Sequence, residues 1–248
     1  MSDEPALRGV SAAAARWRIG VTAASIVGLQ TLVCGLAAAP VLLVWTALVT
    51  WWAPDRIVAA ILLSILLAPS YVGFALCLLV VSALATRVTG LRTPPNADMP
   101  IAAMEWRLMR WAQYMAAIHL VRVLAGTLFR GSPIWTAYLR LSGASIGRRV
   151  HVNSFALSDY NLLEFGDDVV IGADVHLSGH TVEAGIVKTG GVRLANGVTI
   201  GVGAVVGIGV AMGHGSQVGA LSLVPKHTTL EPGHIHAGIP VRRLGAET

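Results

Sequence analysis

Leu194 to His236 reads LANGVTIGVGAVVGIGVAMGHGSQVGALSLVPKHTTLEPGHIH. An aliphatic residue falls every sixth place, at Leu194, Ile200, Val206, Met212, Val218, Val224 and Leu230. The residue after it is Ala195, Gly201, Gly207, Gly213, Gly219, Pro225 or Glu231, and four places on stand Val198, Ala204, Val210, Ser216, Ser222, Thr228 and His234. An unbroken six-residue period of this kind specifies a parallel β-helix. Each unit is one short strand and a corner, and three units close a triangular coil. The aliphatic points into the prism, where stacked coils bury it. Small residues follow it because a bulky side chain would strike the wall. Glycine-rich disorder would not keep aliphatics in phase.

Outward from the run, the phase extends back to Leu177, Ile171 and Phe165, slips by one residue, and recurs at Val152 and Ile146. It is interrupted at Glu183 to Val192, which predicts one protruding loop. Four to five coils at the strand spacing of about 4.8 Å make a prism roughly 20 Å tall. No tryptophan follows Trp135, as a narrow prism requires.

The rest of the chain is of another kind. Of the 248 residues, 54% are hydrophobic and 12% charged, which points to membrane segments. Ile19 to Pro54 and Ile57 to Thr86 carry no charge, and each exceeds the ~20 residues that span a bilayer as a helix. The first run is too long for a signal peptide, although Ala37-Ala38-Ala39 mimics a cleavage site, and a second run follows directly. A helical hairpin turning at Ala53-Pro54-Asp55-Arg56 is expected, with kinks at similar depth at Pro40 and Pro69. Trp17 and the pair Trp51, Trp52 suit the two interfaces of the first span. Three arginines precede the hairpin, one lies in its turn, and seven lie between residues 87 and 142. By the positive-inside rule both termini are cytoplasmic, in a multi-pass inner-membrane protein whose β-helix faces the cytosol.

The domain expectation is a cytoplasmic tail at 1–18, a transmembrane hairpin at 19–88, a linker with an amphipathic helix at 89–142, and the β-helix at 143–248. Within the linker, residues 93–100 are a proline-rich break. Residues 102–129 read as a helix, lying either along the inner leaflet or on the β-helix. The formal net charge of +5 comes from arginines beside apolar runs. With no aromatic-interleaved basic patch, nucleic acid is not an expected partner. Cys34 and Cys77 lie in apolar runs and make no metal pattern.

Three features from about residue 141 to 245 resemble the left-handed β-helix, hexapeptide-repeat acyltransferase superfamily. They are the hexads, the histidine opening an excursion in Gly179-His180-Thr181-Val182-Glu183, and the closing phrase Ala237-Gly238-Ile239-Pro240-Val241-Arg242. FRGSPIWTAYLRLSGASIGRRV (129–150), DYNLLEFGDD (159–168) and GHTVEAGIVKTGGVRL (179–194) further resemble the C-terminal membrane and β-helix modules of ε-poly-lysine-synthetase-type nonribosomal peptide synthetases. The chain looks like one such module standing alone.

That resemblance implies an acyltransferase that works as a homotrimer in contact with membrane lipid. Its donor would be a coenzyme A thioester or phosphopantetheine on an acyl or peptidyl carrier protein, with no metal. Direct transfer needs a base for the acceptor's hydroxyl or amine proton, and a histidine suits this near neutrality. His180 is the candidate base, and Glu183 would orient it or hold a cationic acceptor. Lys226 and Arg242 match positions that offer cations to coenzyme A, and Gly201 and Gly219 could admit the pantetheine arm. The acids Asp159, Glu164, Asp167 and Asp168 could hold an amine, although Asp167 and Asp168 suit a coil corner. Two other classes stand beside this one. A non-catalytic trimeric scaffold would need only the hexads. A zinc-dependent carbonic-anhydrase-like enzyme would draw on His151, His176, His214, His234 and His236, but His176 and His180, four apart, do not match that family's spacing.

Overall fold

The computed structural model describes residues 11–52 and 54–245. The first ten residues of the expected tail, and Ala53 of the hairpin turn, lie outside them. Helix α1 (Ala12–Trp52) begins inside the expected tail, and α2 (Arg56–Thr89) returns beside it. Asp55 caps α2, accepting from the amides of Ile57 and Val58 at 2.9 Å, and Gly90 ends it with φ +64°. Pro40 and Pro69 line one shared cleft, and Trp45 donates to the Ser70 hydroxyl at 2.9 Å beside them, so the two prolines do sit at matching depth. Both helices are apolar enough to cross a membrane, as is the stretch Trp106–Phe129.

Helix α3 (Trp106–Val121) runs through a π-helical turn, Arg122–Gly126, into a last turn at Thr127–Phe129. It lies between the hairpin and the β-helix. Arg18 donates to Met104 O, Gln113 to Ser25 Oγ and Gln30 to Ala116 O, which fix α3 parallel to the first half of α1. Arg110 donates to Thr89 O and Gly90 O, and the Tyr71 hydroxyl to Leu124 O, which fix it antiparallel to α2. Its other side buries Ile118, Val121 and Ala125 in a core continuous with the prism. Helix α3 is thus packed on the β-helix, as one of the two expected placements has it. Helix α4 (Pro133–Leu141), capped by Ser132 with proline at its first position, leads into the coils. Its Trp135 is fully buried against the prism and donates to Ser154 O at 2.9 Å.

The coils form as the hexads require. One wall stacks Ile146, Phe165, Leu194, Met212 and Leu230 in parallel register. The second stacks Val152, Ile171, Ile200, Val218 and His236. The third stacks Leu157, Leu177, Val206 and Val224. Four coils are complete and a fifth is begun. The aliphatic residues at these positions are buried except Ile146, which is partly exposed at the first coil. The glycines following them have no room for a side chain: a Cβ on Gly201 would lie 2.5 Å from the Ala220 amide nitrogen of the next coil.

The repeat fails in two places. Leu157 arrives one residue early, and residues 158–163 bulge outward through a 3-10 turn at Tyr160–Leu162. The second failure is the excursion after Leu177. It is an antiparallel hairpin of His180–Glu183 and Ile186–Thr189, and a third strand, Asp98–Pro100, adds to Ile186–Lys188. The proline-rich break expected at 93–100 is therefore partly a strand, and the loop is held from both sides.

Candidate active site

His180 opens the excursion hairpin, directly after Gly179. A Cβ on Gly179 would lie 2.7 Å from Asp159 Cβ, so glycine lets the chain pass close to the earlier bulge. Asp159 is on that bulge with φ +53°, a left-handed conformation that aspartate tolerates better than most residues. The two interruptions of the repeat thus bring together two side chains that regular coils would have kept apart. His180 Nδ1 lies 2.6 Å from Asp159 Oδ2.

The carboxylate is fully buried and saturated. Oδ1 accepts from the Thr93 hydroxyl at 2.5 Å and from Trp111 Nε1 at 3.3 Å. Oδ2 accepts from the Ser158 hydroxyl at 2.8 Å as well as from His180. Asn161 fixes Thr93 by bonding both its amide and its carbonyl. Burial alone would raise the Asp159 carboxyl. The hydrogen bond and charge of His180, with the bonds from Thr93 and Ser158, outweigh it and hold the group below the ordinary 3.8. When the ring carries a single proton, an ionised Asp159 draws it to Nδ1, and Nε2 is then the nitrogen with the free lone pair. Trp111 meets the imidazole edge-on, ring centres 5.0 Å apart, and sets its plane.

The imidazole, about a quarter exposed, lines an open cavity of roughly 680 Å³ between α3 and the coils. Trp111, Met115, His119 and Arg122 form its helix side, with Ser178 and His176 among the residues opposite. Burial, then the charges of Arg122 and His180, push His176 down, which favours its neutral form. A base held by a buried carboxylate in such a cavity can take a proton from a hydroxyl or amine. A larger cavity, about 740 Å³, lies behind the Thr93–Asn161 pair and does not include His180.

The other expected site residues separate. Glu183 does not orient His180. Its carboxylate lies 2.6 Å from Lys226 Nζ through both oxygens, pinning the hairpin to the coils, and Asp159 is the residue that orients the imidazole. Lys226 is therefore paired within the chain. Arg242 lies on the terminal antiparallel strand Val241–Arg243, facing Ala237 in register. Gly201 and Gly219 pack against the following coil, which is reason enough for glycine at both. Asp167 and Asp168 pair with Arg148 and Arg149 at a coil corner, and Glu164 with Arg193. The histidines beyond His180 do not converge: among the described residues no three His, Cys, Asp or Glu side chains are placed to hold a metal. The sequence alone does not single out Asp159 and Trp111 as the neighbours of His180, nor Arg122 as lining the same cavity. The slip of phase before Phe165 marked the bulge, and a polar pair, Ser158-Asp159, stands in it where the hexads call for an interior residue.

No family model matches the chain. Delta-poly-L-ornithine synthetase of Acinetobacter baumannii (strain AB307-0294) is 27% identical over 118 residues, which are 48% of this chain and 9% of that protein. The chain thus spans less than a tenth of that relative's length. Among solved structures, a hexapeptide-repeat acetyltransferase of Vibrio cholerae O1 biovar eltor bound to acetyl coenzyme A is 23% identical (TM-score 0.38), covering 41% of this chain and 59% of that one. A galactoside acetyltransferase with coenzyme A is 24% identical (TM-score 0.34; 45% and 68% covered). A serine acetyltransferase with coenzyme A is 17% identical (TM-score 0.38; 68% and 57% covered). All three are acetyltransferases with coenzyme A or its acetyl form bound.

Proposed function

We propose that this chain is a membrane-anchored acyltransferase in which His180 acts as general base. The observation that carries the reading is the 2.6 Å contact between His180 Nδ1 and a fully buried Asp159, with the imidazole facing an open cavity. The acceptor hydroxyl or amine gives its proton to Nε2 as its oxygen or nitrogen attacks the thioester carbonyl carbon. The carbon–sulfur bond then breaks, and the thiol leaves with the proton returned by the imidazolium. Asp159 compensates the charge on the ring while it holds that proton.

The donor is a coenzyme A thioester, or phosphopantetheine on a carrier protein. Arg242 and Lys226 are the cations offered to its phosphates, Lys226 exchanging Glu183 for the ligand, and the Gly201 and Gly219 corners flank the pantetheine path. The β-helix is left-handed and trimeric, faces the cytoplasm, and is anchored by the α1–α2 hairpin. The fold neighbours with bound coenzyme support the donor class.

The test is release of free thiol from acetyl coenzyme A by the detergent-solubilised chain across a panel of amines and alcohols. His180→Ala should lower turnover by about 10²- to 10⁴-fold. Undiminished turnover in that variant overturns the assignment of the base.

A further inference from the structure

Arg122 opens the π-helical turn of α3 and lines the cavity that holds His180. Its Nε is buried with no hydrogen-bond partner, and among the described residues its guanidinium makes no ion pair. A guanidinium is a fork of donors that matches a carboxylate or phosphate, and leaving its Nε unmatched is costly. Nothing in the cavity lining supplies the missing anion. His119 and His176 are among the cavity's lining residues, no aspartate or glutamate is, and the nearby Asp159 spends its carboxylate on His180, Thr93, Ser158 and Trp111. The π turn is itself a departure from the helix that sets the direction of this side chain, and such turns recur at functional sites.

We propose that Arg122 binds an anionic group, phosphate or carboxylate, on the acceptor, and so places the acceptor's amine or hydroxyl at His180 Nε2. This rests on the acyl-transfer reading and narrows it to acceptors that carry an anion close to their nucleophile. The anion could arrive on a soluble molecule or on a lipid headgroup. The helix lining the cavity is tied to the hairpin by the Tyr71–Leu124 bond, two residues along the chain from Arg122, which is why a lipid source is tested beside a soluble one.

Acceptors that differ only in the anion test this. With acetyl coenzyme A as donor, phosphoethanolamine should exceed ethanolamine by about 10- to 100-fold in kcat/KM, as a charge-assisted pair predicts. In Arg122→Gln the ratio should fall to about one, and Arg122→Lys, which keeps charge and much of the packing, should restore part of it. Phosphatidylethanolamine in vesicles, run alongside, tells the lipid source from the soluble one, and acylation of either supports the anion site. Equal use of both soluble amines by the wild type, or an unchanged ratio in Arg122→Gln, overturns the proposal. Calorimetric titration of inorganic phosphate gives a readout free of catalysis. Binding should weaken at least about 10-fold in Arg122→Gln, and absent or unchanged binding overturns the site. Arg122-dependent phosphate binding without thiol release from any donor would leave the anion site standing and remove the acyl-transfer reading instead.

Discussion

Asp159 combines a fully buried carboxylate with a left-handed backbone, two features that a residue keeps only when its surroundings demand them. Here the demand is the imidazole of His180. Asp159→Asn keeps the shape but presents an amide. Nδ1 then loses the anion that fixes its proton, and the tautomer with Nε2 as acceptor is no longer favoured. Turnover in the thiol-release assay should fall by about 10²-fold or more, while KM for the acceptor should move far less. The same substitution has a pH signature. The folded-state value of Asp159 lies below the ordinary 3.8, so its stabilisation is fully present above 3.8 and is lost as pH falls through the lower folded value. Thermal midpoints measured downward from pH 5 should therefore drop more steeply in the wild type than in Asp159→Asn. Parallel curves would show that the carboxylate is not held ionised by the pair.

Among the elements, the coils were legible in sequence and the site only half so. A hexad leaves its mark locally, because every sixth side chain meets the same interior. Ile200 and Val218 can be placed without knowing anything distant. The strand Asp98–Pro100 cannot, since its partner Ile186–Lys188 is remote in sequence and three residues carry no period of their own. Asp159 was hidden for a related reason: it stood among four acids, and only the fold distinguishes the one that turns inward. His180 was visible because it sits where the period stops, and the second stop, at Ser158-Asp159, carries its partner. The coil glycines make the packing claim testable. Gly201→Ala forces a methyl to 2.5 Å from the Ala220 nitrogen and must push two coils apart, at a cost of about 1–3 kcal/mol. Gly28→Ala in α1, whose added carbon meets nothing within 4 Å, is the control. Differential scanning should show a lower midpoint for the first and little change for the second. Equal midpoints would mean that the coils tolerate side chains at these corners.

For the whole molecule, the proposed anchoring raises the question of how much of it would lie in a bilayer. The 41 residues of α1 span about 60 Å as a helix, roughly twice a hydrocarbon core. Among the described residues of the hairpin, α3 and its π turn make side-chain hydrogen bonds only with the Arg18–Gln30 part of α1 and the Tyr71–Gly90 stretch that ends α2. Beyond that, Leu42, Leu43, Trp51, Ile57, Ile65 and Leu67 stand exposed, with none of the described residues covering them. On the proposed anchoring, this far half of the hairpin, from about Leu36 to Ser70, would cross the bilayer out and back, and Trp51 and Trp52 would meet the distant interface. Trp106–Phe129 is also apolar enough to cross, but it buries Leu108, Tyr114, Ile118 and Val121 against other parts of the chain and carries the cavity side of the site. A crossing there would place His180 inside the hydrocarbon, out of reach of either donor proposed above. Two crossings leave both chain ends on one side, which the positive-inside rule predicts to be the cytoplasm, and three put them on opposite sides. A reporter that fluoresces only in the cytoplasm, fused after Thr248, should therefore be bright, and Asp55→Cys at the hairpin turn should react with a membrane-impermeant maleimide added to intact cells. A dark reporter, or a turn cysteine labelled only after the cells are opened, would overturn the two-crossing topology and with it the access route of the donor.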